Sequence, residues 1–582
     1  MATTTQGQIS VGTLDEVKAR GCTVVTGGGH TIAVIVHDDQ VYAVDNRCPH
    51  MGFPLDRGTV KDGILTCHWH HARFDLSSGG TFDPFADDVR SFPVSVVDGE
   101  VWVDPSPPEP DPVQRWSSRL EDALEDNIRL VLVKSVLGLD SAGADYRAPL
   151  RIGSLFGTRY SDEGWEPAMS ILTCAANIQP HVAKEDGLRA IYQGLRHVSQ
   201  NSAGRPPRFP VEPLPTGETR PEVFKKWFRY FIEVRNEDGA ERSLRTAIDL
   251  GWPQRDIGDM IFAAATDRVS LDAGHTVDFA NKAFELLDHI GWEHAGQVLT
   301  SLVHGMATAR RSEELSSWRH PIDIASMVRQ AREELPALYE QGELERKSRG
   351  EWDDEDQLAN VILKDDPIAT VDAIKQAVRS GATPEAIGSA VAYAAFLRMA
   401  RYHRSNEFND WDTVHNTLTA ANALHQALKR APSVELLRAA FDTAMSIYLD
   451  RFLNVPAQRI PEPTNGTGDL AARLLGHMDV QQQVEEAAQV VADYEASAEN
   501  TDDVLVTLGH AMLREDSGFH MFQIVEAGFK QYLGRKGTEA GRNVLIGMTR
   551  FLAAHYPTTR SVDQTFNIAV RLHRGDELFK ED

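Results

Sequence analysis

Two short segments constrain this chain more than anything else in it: Cys48-Pro49-His50 and, after sixteen intervening residues, Cys67-His68-Trp69-His70. Two loops thus each offer one thiolate and one imidazole, and a fold that uses them must bring both loops to one site. Thiolate softness selects zinc or iron–sulfur chemistry over hard cations. Zinc is the competing reading, because two Cys and two His also complete a tetrahedral ion. The usual zinc spacing pairs Cys-x-x-Cys with a spaced His pair on a helix, whereas here each loop supplies one ligand of each kind. An asymmetric two-iron, two-sulfur cluster suits that pattern. Two cysteines bind one iron and two neutral imidazoles bind the other, which removes negative charge and raises the reduction potential relative to an all-cysteine cluster.

The surroundings of the two segments read as small antiparallel sheets. Short alternating apolar runs such as Thr31–Val36 and Gln40–Val44 flank His37-Asp38-Asp39, and Asp62-Gly63 and Asp98-Gly99 sit between apolar pairs as hairpin turns require. Residues 1–104 are therefore expected to be an all-β domain. Prolines crowd residues 105–113, which reads as an extended, semi-stiff linker. From 114 to 582 apolar residues recur at helical spacing, as in 278–290, 371–377 and 544–554, so a large all-α region is expected. Interruptions at 205–221, 342–357 and 454–469 divide it into blocks 114–204, 223–345, 357–453 and 470–582. A weak internal repeat aligns 244–268 with 374–398 without gaps, matching Gly251 to Gly381, Gly258 to Gly388 and Arg268 to Arg398, and a looser third copy begins near Asp502.

The segment from Cys48 to Gly80 resembles the cluster-binding segment of Rieske ferredoxins and of the Rieske domains of oxygenases, through C-x-H…C-x-x-H, a turn at Gly58 between the loops, and Arg73-Phe74-Asp75 after the second loop. The resemblance covers about residues 8–104. It implies stacked small antiparallel sheets carrying a [2Fe-2S] cluster near their tip, held by Cys48, His50, Cys67 and His70, with the histidine edges close to solvent. Respiratory-complex Rieske proteins carry an extra cysteine pair in these loops; none stands in His50-Met51-Gly52-Phe53 or His70-His71-Ala72-Arg73. The domain therefore resembles the lower-potential ferredoxin and oxygenase class, in keeping with few hydroxyl groups near the loops to bond the cluster sulfurs. His68 and His71 are expected to face solvent, and Trp69 to pack beside the cluster and limit water access.

The helical region carries weaker signals. Asp272-Ala273-Gly274-His275 and Asp412-Thr413-Val414-His415 are both D-x-x-H. On a helix each pair would offer a carboxylate and an imidazole on one face, as di-iron bundles use Glu-x-x-His, so Asp272, His275, Asp412 and His415 form a candidate second site for an additional non-haem iron. His289 and His294 have the interval of a mononuclear oxygenase iron site in surroundings that do not fit one. Glu515-Asp516, bracketed by His510 and His520, reads as a polar loop, and Cys22 and Cys174 as buried thiols.

The sequence has no glycine-rich phosphate loop and no flavin or nicotinamide fingerprint, so the cluster is expected to need an external reductase or ferredoxin reductase. A net charge of -26 excludes nucleic acid and disfavours anionic membrane surfaces. The start MATTTQGQIS lacks the features of a signal peptide and no apolar run is long enough to span a bilayer, so a cytoplasmic protein is expected. The leading functional expectation is an electron-accepting domain that delivers to a helical oxidoreductase domain acting on a small-molecule substrate. The alternative is a non-enzymatic electron-transfer or redox-sensing module on a helical partner-binding scaffold.

Overall fold

The computed structural model describes residues 7–106, 111–350, 352–464, 466, 468–497, 502–576 and 578. The chain forms two compact units, Met1–Ile152 with Gln564–Asp582, and Gly153–Asp563. The expected linker at 105–113 is not where they divide. Residues 107–110 lie outside the described ones, and Pro112 already opens a helix, with the Asp111 carboxylate accepting from the Val113 and Gln114 N–H groups. That helix, Pro112–Glu125, and the next, Arg129–Ser141, belong to the first unit.

Among its described residues the first unit has nine strands: β1 Ile9–Thr13, β2 Cys22–Gly27, β3 His30–His37, β4 Gln40–Asp45, β5 Thr59–Lys61, β6 Ile64–Thr66, β7 Arg73–Asp75, β8 Val94–Val97 and β9 Glu100–Val103. They pair antiparallel as three three-stranded sheets, β1-β9-β8, β2-β3-β4 and β5-β6-β7. The hairpin dipeptides take the left-handed conformation that tight turns demand: Asp38-Asp39 at φ 49 and 59, Asp62-Gly63 at 54 and 77, Asp98-Gly99 at 51 and 86. β3 is buried on both faces. Ile32 and Val34 enter a core with Val11, Val101 and Val103, while Ala33 and Ile35 enter a second core with Leu65, Phe74 and both loop cysteines.

The second unit is helical, with no strand among its described residues. The repeated segments are both helix, glycine turn, helix: Glu237–Asp249 and Gln254–Ala265, then Pro367–Arg379 and Pro384–Ala400. Gly251 and Gly381 stand just past the first helix of each pair at φ 72 and 97, where a side chain would be strained. The third copy is seen as helices Asp502–Leu513 and Phe519–Leu533. The interruption expected at 342–357 is shorter, because helix Ile324–Arg349 runs through its first half. Good helix formers line that stretch, and Gly342 lets it lie so close to Val378 that an added Cβ would fall 2.0 Å from the Val378 carbonyl oxygen. Among the described residues no helix is long and apolar enough to cross a membrane.

Candidate metal centre

β4 runs into the first loop, which closes on itself: the Cys48 N–H donates to Phe53 O at 2.8 Å and the Gly52 N–H to Cys48 O at 2.8 Å. The second loop connects β6 to β7 and is closed by the Cys67 N–H donating to Ala72 O at 2.9 Å, with His71 in the left-handed region at φ 62. Both cysteines are buried, at 2% and 1% exposure. Their sulfurs face one another: hydrogen bonding from Cys48 holds its own thiol protonated, well above the ordinary range, and lowers the Cys67 thiol to about 6. Backbone N–H groups of His50 and Met51 point at the first sulfur, and those of Trp69 and His70 at the second.

The two imidazoles lie together on the same two loops. The His50 and His70 rings are 4.8 Å apart and nearly perpendicular. His50 Nδ1 is buried without a hydrogen-bond partner, and burial, then the neighbouring His70 and Lys134, depresses the ring to about 4, so it is held neutral. A metal requires such a ring, neutral and with a nitrogen free to donate, and of the two thiols Cys67 gives up its proton readily. His70 is exposed, so one ring edge of the pair reaches solvent. Two buried thiols and two imidazoles, one of each from each loop, fit the donor set of a mixed-ligand [2Fe-2S] cluster.

The Rieske [2Fe-2S] domain family matches residues 7–93. The chain is 34% identical over 98 residues to the anthranilate 1,2-dioxygenase ferredoxin subunit of Burkholderia cepacia, an alignment that covers 17% of this chain and 86% of that subunit. This chain belongs to the Rieske [2Fe-2S] family. It is also similar to apoptosis-inducing factor 3 of Homo sapiens, 31% identical over 77 residues, but spans 13% of that relative's length. Among solved structures, the ferredoxin of carbazole 1,9a-dioxygenase from Nocardioides aromaticivorans IC177 is similar at 31% identity, with 17% of this chain and 100% of that one covered and a TM-score of 0.17.

The Rieske loops are braced from three sides. Trp69 packs 4.6 Å from the His70 ring and 6.3 Å from Phe53, beside the site as expected, and Phe85 stands edge-on to His50 at 5.1 Å. His68 and His71 are exposed. Gly58 closes the expected turn between the loops, its N–H donating to Leu55 O at 2.9 Å; its backbone is extended, at φ -76 and ψ -177, and what excludes a side chain is the Thr66 carbonyl oxygen, 2.6 Å from where a Cβ would sit. The third brace comes from outside the β region. Lys134, in helix Arg129–Ser141, is 9% exposed and donates through Nζ to the carbonyls of Pro49 and His50, the latter at 3.2 Å. Asp87 lies 3.5 Å from Lys134 and accepts from Arg119 Nε at 3.1 Å. Burial lowers the Lys134 ammonium pKa. Sequence reasoning missed Lys134, although a lone lysine inside the apolar run 131–139 is the signal that could have found it.

In the helical unit the two D-x-x-H pairs are not equivalent. Asp272 and Ala273 are left-handed, at φ 47 and 54, so Asp272 and His275 share no helix face and the pairing expected of them is absent. Asp412 and His415 are one turn apart on helix Phe408–Arg430, but the Asp412 carboxylate pairs with His520 Nδ1 at 2.8 Å. His289 bonds Asn177 at 2.8 Å and His510 bonds Asp186 at 3.0 Å. Glu515 lies in the expected loop, between helices Asp502–Leu513 and Phe519–Leu533, but its side chain does not face solvent. It is fully buried, accepting from the Thr558 N–H at 2.7 Å and from Arg560 Nε at 2.8 Å. Among the described residues no three His, Cys, Asp or Glu side chains stand at the spacing of a single ion, here or in the Rieske loops.

Proposed function

We propose that this is a cytoplasmic iron–sulfur redox protein whose Rieske domain takes electrons from a separate reductase and delivers them to an oxidoreductase centre in the helical unit. When bound, the cluster supplies one-electron uptake and release. The chain's own residues do the rest. Cys48 and Cys67 hold one side in a dry core, His50 and His70 hold the other, and the exposed His70 edge offers the route to a partner. Lys134 fixes the first loop from behind through two carbonyls. The observation that carries the reading is the pairing of buried thiols with adjacent imidazoles across two loops.

Similarity to ferredoxin subunits supports the electron-transfer half. The acidic chain, at a net charge of -26, favours a transient, salt-sensitive encounter with a basic reductase surface. For the helical half, a cleft of about 550 Å³ lined by Asn177, Glu285, His289 and Lys530 gives a small-molecule substrate a place to bind, and an additional non-haem iron belongs to the same reading. Anaerobic purification followed by iron and acid-labile sulfide assays tests it. Two irons matched by two sulfides per chain, with colour bleached by one electron, are expected of the Rieske half, and iron in excess of sulfide is expected of the additional iron; a colourless protein without sulfide overturns the Rieske half. Oxygen consumption driven by a ferredoxin reductase, abolished when the cluster is lost, is expected of the helical half; none with any reductase overturns that half.

A further inference from the structure

Three copies of the helical repeat each send one histidine to the same place. Helices Gln254–Ala265 and Pro384–Ala400 are each followed by a turn and then by His275 at the start of helix His275–Ile290 and His415 in helix Phe408–Arg430, and helix Asp502–Leu513 is followed by His520 at the start of helix Phe519–Leu533. A fourth, His555, closes helix Glu539–His555. The His415 and His520 rings are 4.8 Å apart, the separation of the His50 and His70 rings. His415 is 0% exposed and neither of its ring nitrogens has a hydrogen-bond partner; His555 Nε2 is likewise buried without a hydrogen bond, 3.9 Å from the Asp412 carboxylate. A core imidazole with both nitrogens unsatisfied is costly, and a fold that keeps one without a ligand for it gains nothing.

Two further features converge on this spot. Asp412 binds His520 through Nδ1, which fixes the ring and leaves Nε2 free, as a carboxylate does for a metal-bound histidine. The backbone that delivers His275 is strained: Ser270, Asp272 and Ala273 are left-handed non-glycine residues at φ 44, 47 and 54. Gly274 follows at φ 97, so close to Ala420 on the helix bearing His415 that an added Cβ would lie 2.4 Å from the Ala420 Cβ. Such strain concentrates where a residue must be aimed. The rings also oppose one another's protonation: burial, then His520, His275 and His555, holds His415 far below the ordinary histidine range, and neutral imidazole is the ligating form.

We propose that His275, His415 and His520, which stand wider apart in the structure than the spacing of a single ion, close on a divalent first-row transition ion, with Asp412 orienting His520 and His555 completing the ring of donors. This replaces the pair-wise set Asp272, His275, Asp412 and His415: Asp272 drops out, and Asp412 acts through His520. Imidazole donors suit iron, zinc, copper and nickel, so the ion is defined by class. As the electron acceptor in the helical unit the site deepens the reading above and rests on it only for that role.

The test separates the two metal sites. In full-length protein carrying Cys48→Ser and Cys67→Ser, which removes the Rieske ligands, Co(II) is titrated and its visible d–d absorption followed. One equivalent per chain is expected, with at least a tenfold loss of affinity in His520→Ala and in His415→Gln, no change in His294→Ala, and unchanged far-ultraviolet circular dichroism throughout. Asp412→Asn is expected to weaken binding less than His520→Ala does. In the unaltered protein, metal analysis is expected to find one transition ion per chain beyond the iron matched by sulfide, lost in His520→Ala. Absence of Co(II) binding in a folded Cys48→Ser, Cys67→Ser chain, or binding that survives both histidine substitutions, overturns the proposal. If the cysteine variant does not fold, metal matched by sulfide in the unaltered protein overturns it instead.

Discussion

The Rieske loops and the histidine cluster of the helical unit use the same ring spacing and reach it by opposite routes. His50 and His70 stand 4.8 Å apart within one stretch of chain, on loops sprung from neighbouring strands, and His70 is exposed. His415 and His520 stand 4.8 Å apart with over a hundred residues between them, and His415 is sealed in the core. A centre that must meet partners is built locally and left open at one edge. A centre built from distant helices is closed, and packing rather than a turn sets its geometry.

The largest effect that sharpens this contrast is Cys67→Ser. It is expected to abolish acid-labile sulfide and colour altogether while leaving helical circular dichroism in place, because the cysteine lies in the β unit's core and the helical unit has a core of its own. Loss of helicity together with colour would break the comparison.

A pH effect confined to the helical unit comes next. Burial raises the Asp278 carboxyl from 3.8 to about 7. Between about pH 4 and 7 the unfolded chain gives up this proton while the folded chain keeps it, so stability falls as pH rises through that window and levels off above it. Asp278→Asn is expected to remove up to about 2.5 kcal/mol of the stability difference between pH 5 and pH 7.5, read as the urea midpoint of the helical transition at the two values. An unchanged slope contradicts it.

Lys134→Met is expected to cost the β unit about 1–3 kcal/mol, since Asp87 loses a buried partner and two loop carbonyls lose a donor. It is also expected to shift the cluster's midpoint potential negative, because a buried cation beside the site favours the reduced state; voltammetry reads this directly. His68→Gln, on an exposed side chain within the same loop, is expected to change neither iron content nor spectrum.

What could be read from the residues follows the same division. Asp62-Gly63 and Asp98-Gly99 announced their turns because few dipeptides tolerate positive φ, and the ligand loops announced themselves because thiolate and imidazole recur at fixed short spacing. Gly58 ends the turn expected there, but its close approach to the Thr66 carbonyl is not legible, because a glycine kept for such an approach looks the same in sequence as one kept for positive φ. Asp272 was paired with His275 by helical spacing, and the left-handed backbone between them is invisible to that rule. His520 and His555 escaped because their neighbours are set by helix packing across the unit; the one available signal was the third repeat copy, whose histidine follows its helix as His275 and His415 follow theirs.

The account rests on two nitrogen ligands meeting two sulfur ligands at the β-unit tip. Electron–nuclear double resonance on the dithionite-reduced full-length protein measures this most directly. Hyperfine couplings from two coordinated nitrogens, falling to one in His70→Cys, are the predicted result. A reduced iron–sulfur signal without coordinated nitrogen, or a colourless protein holding only zinc, would contradict it.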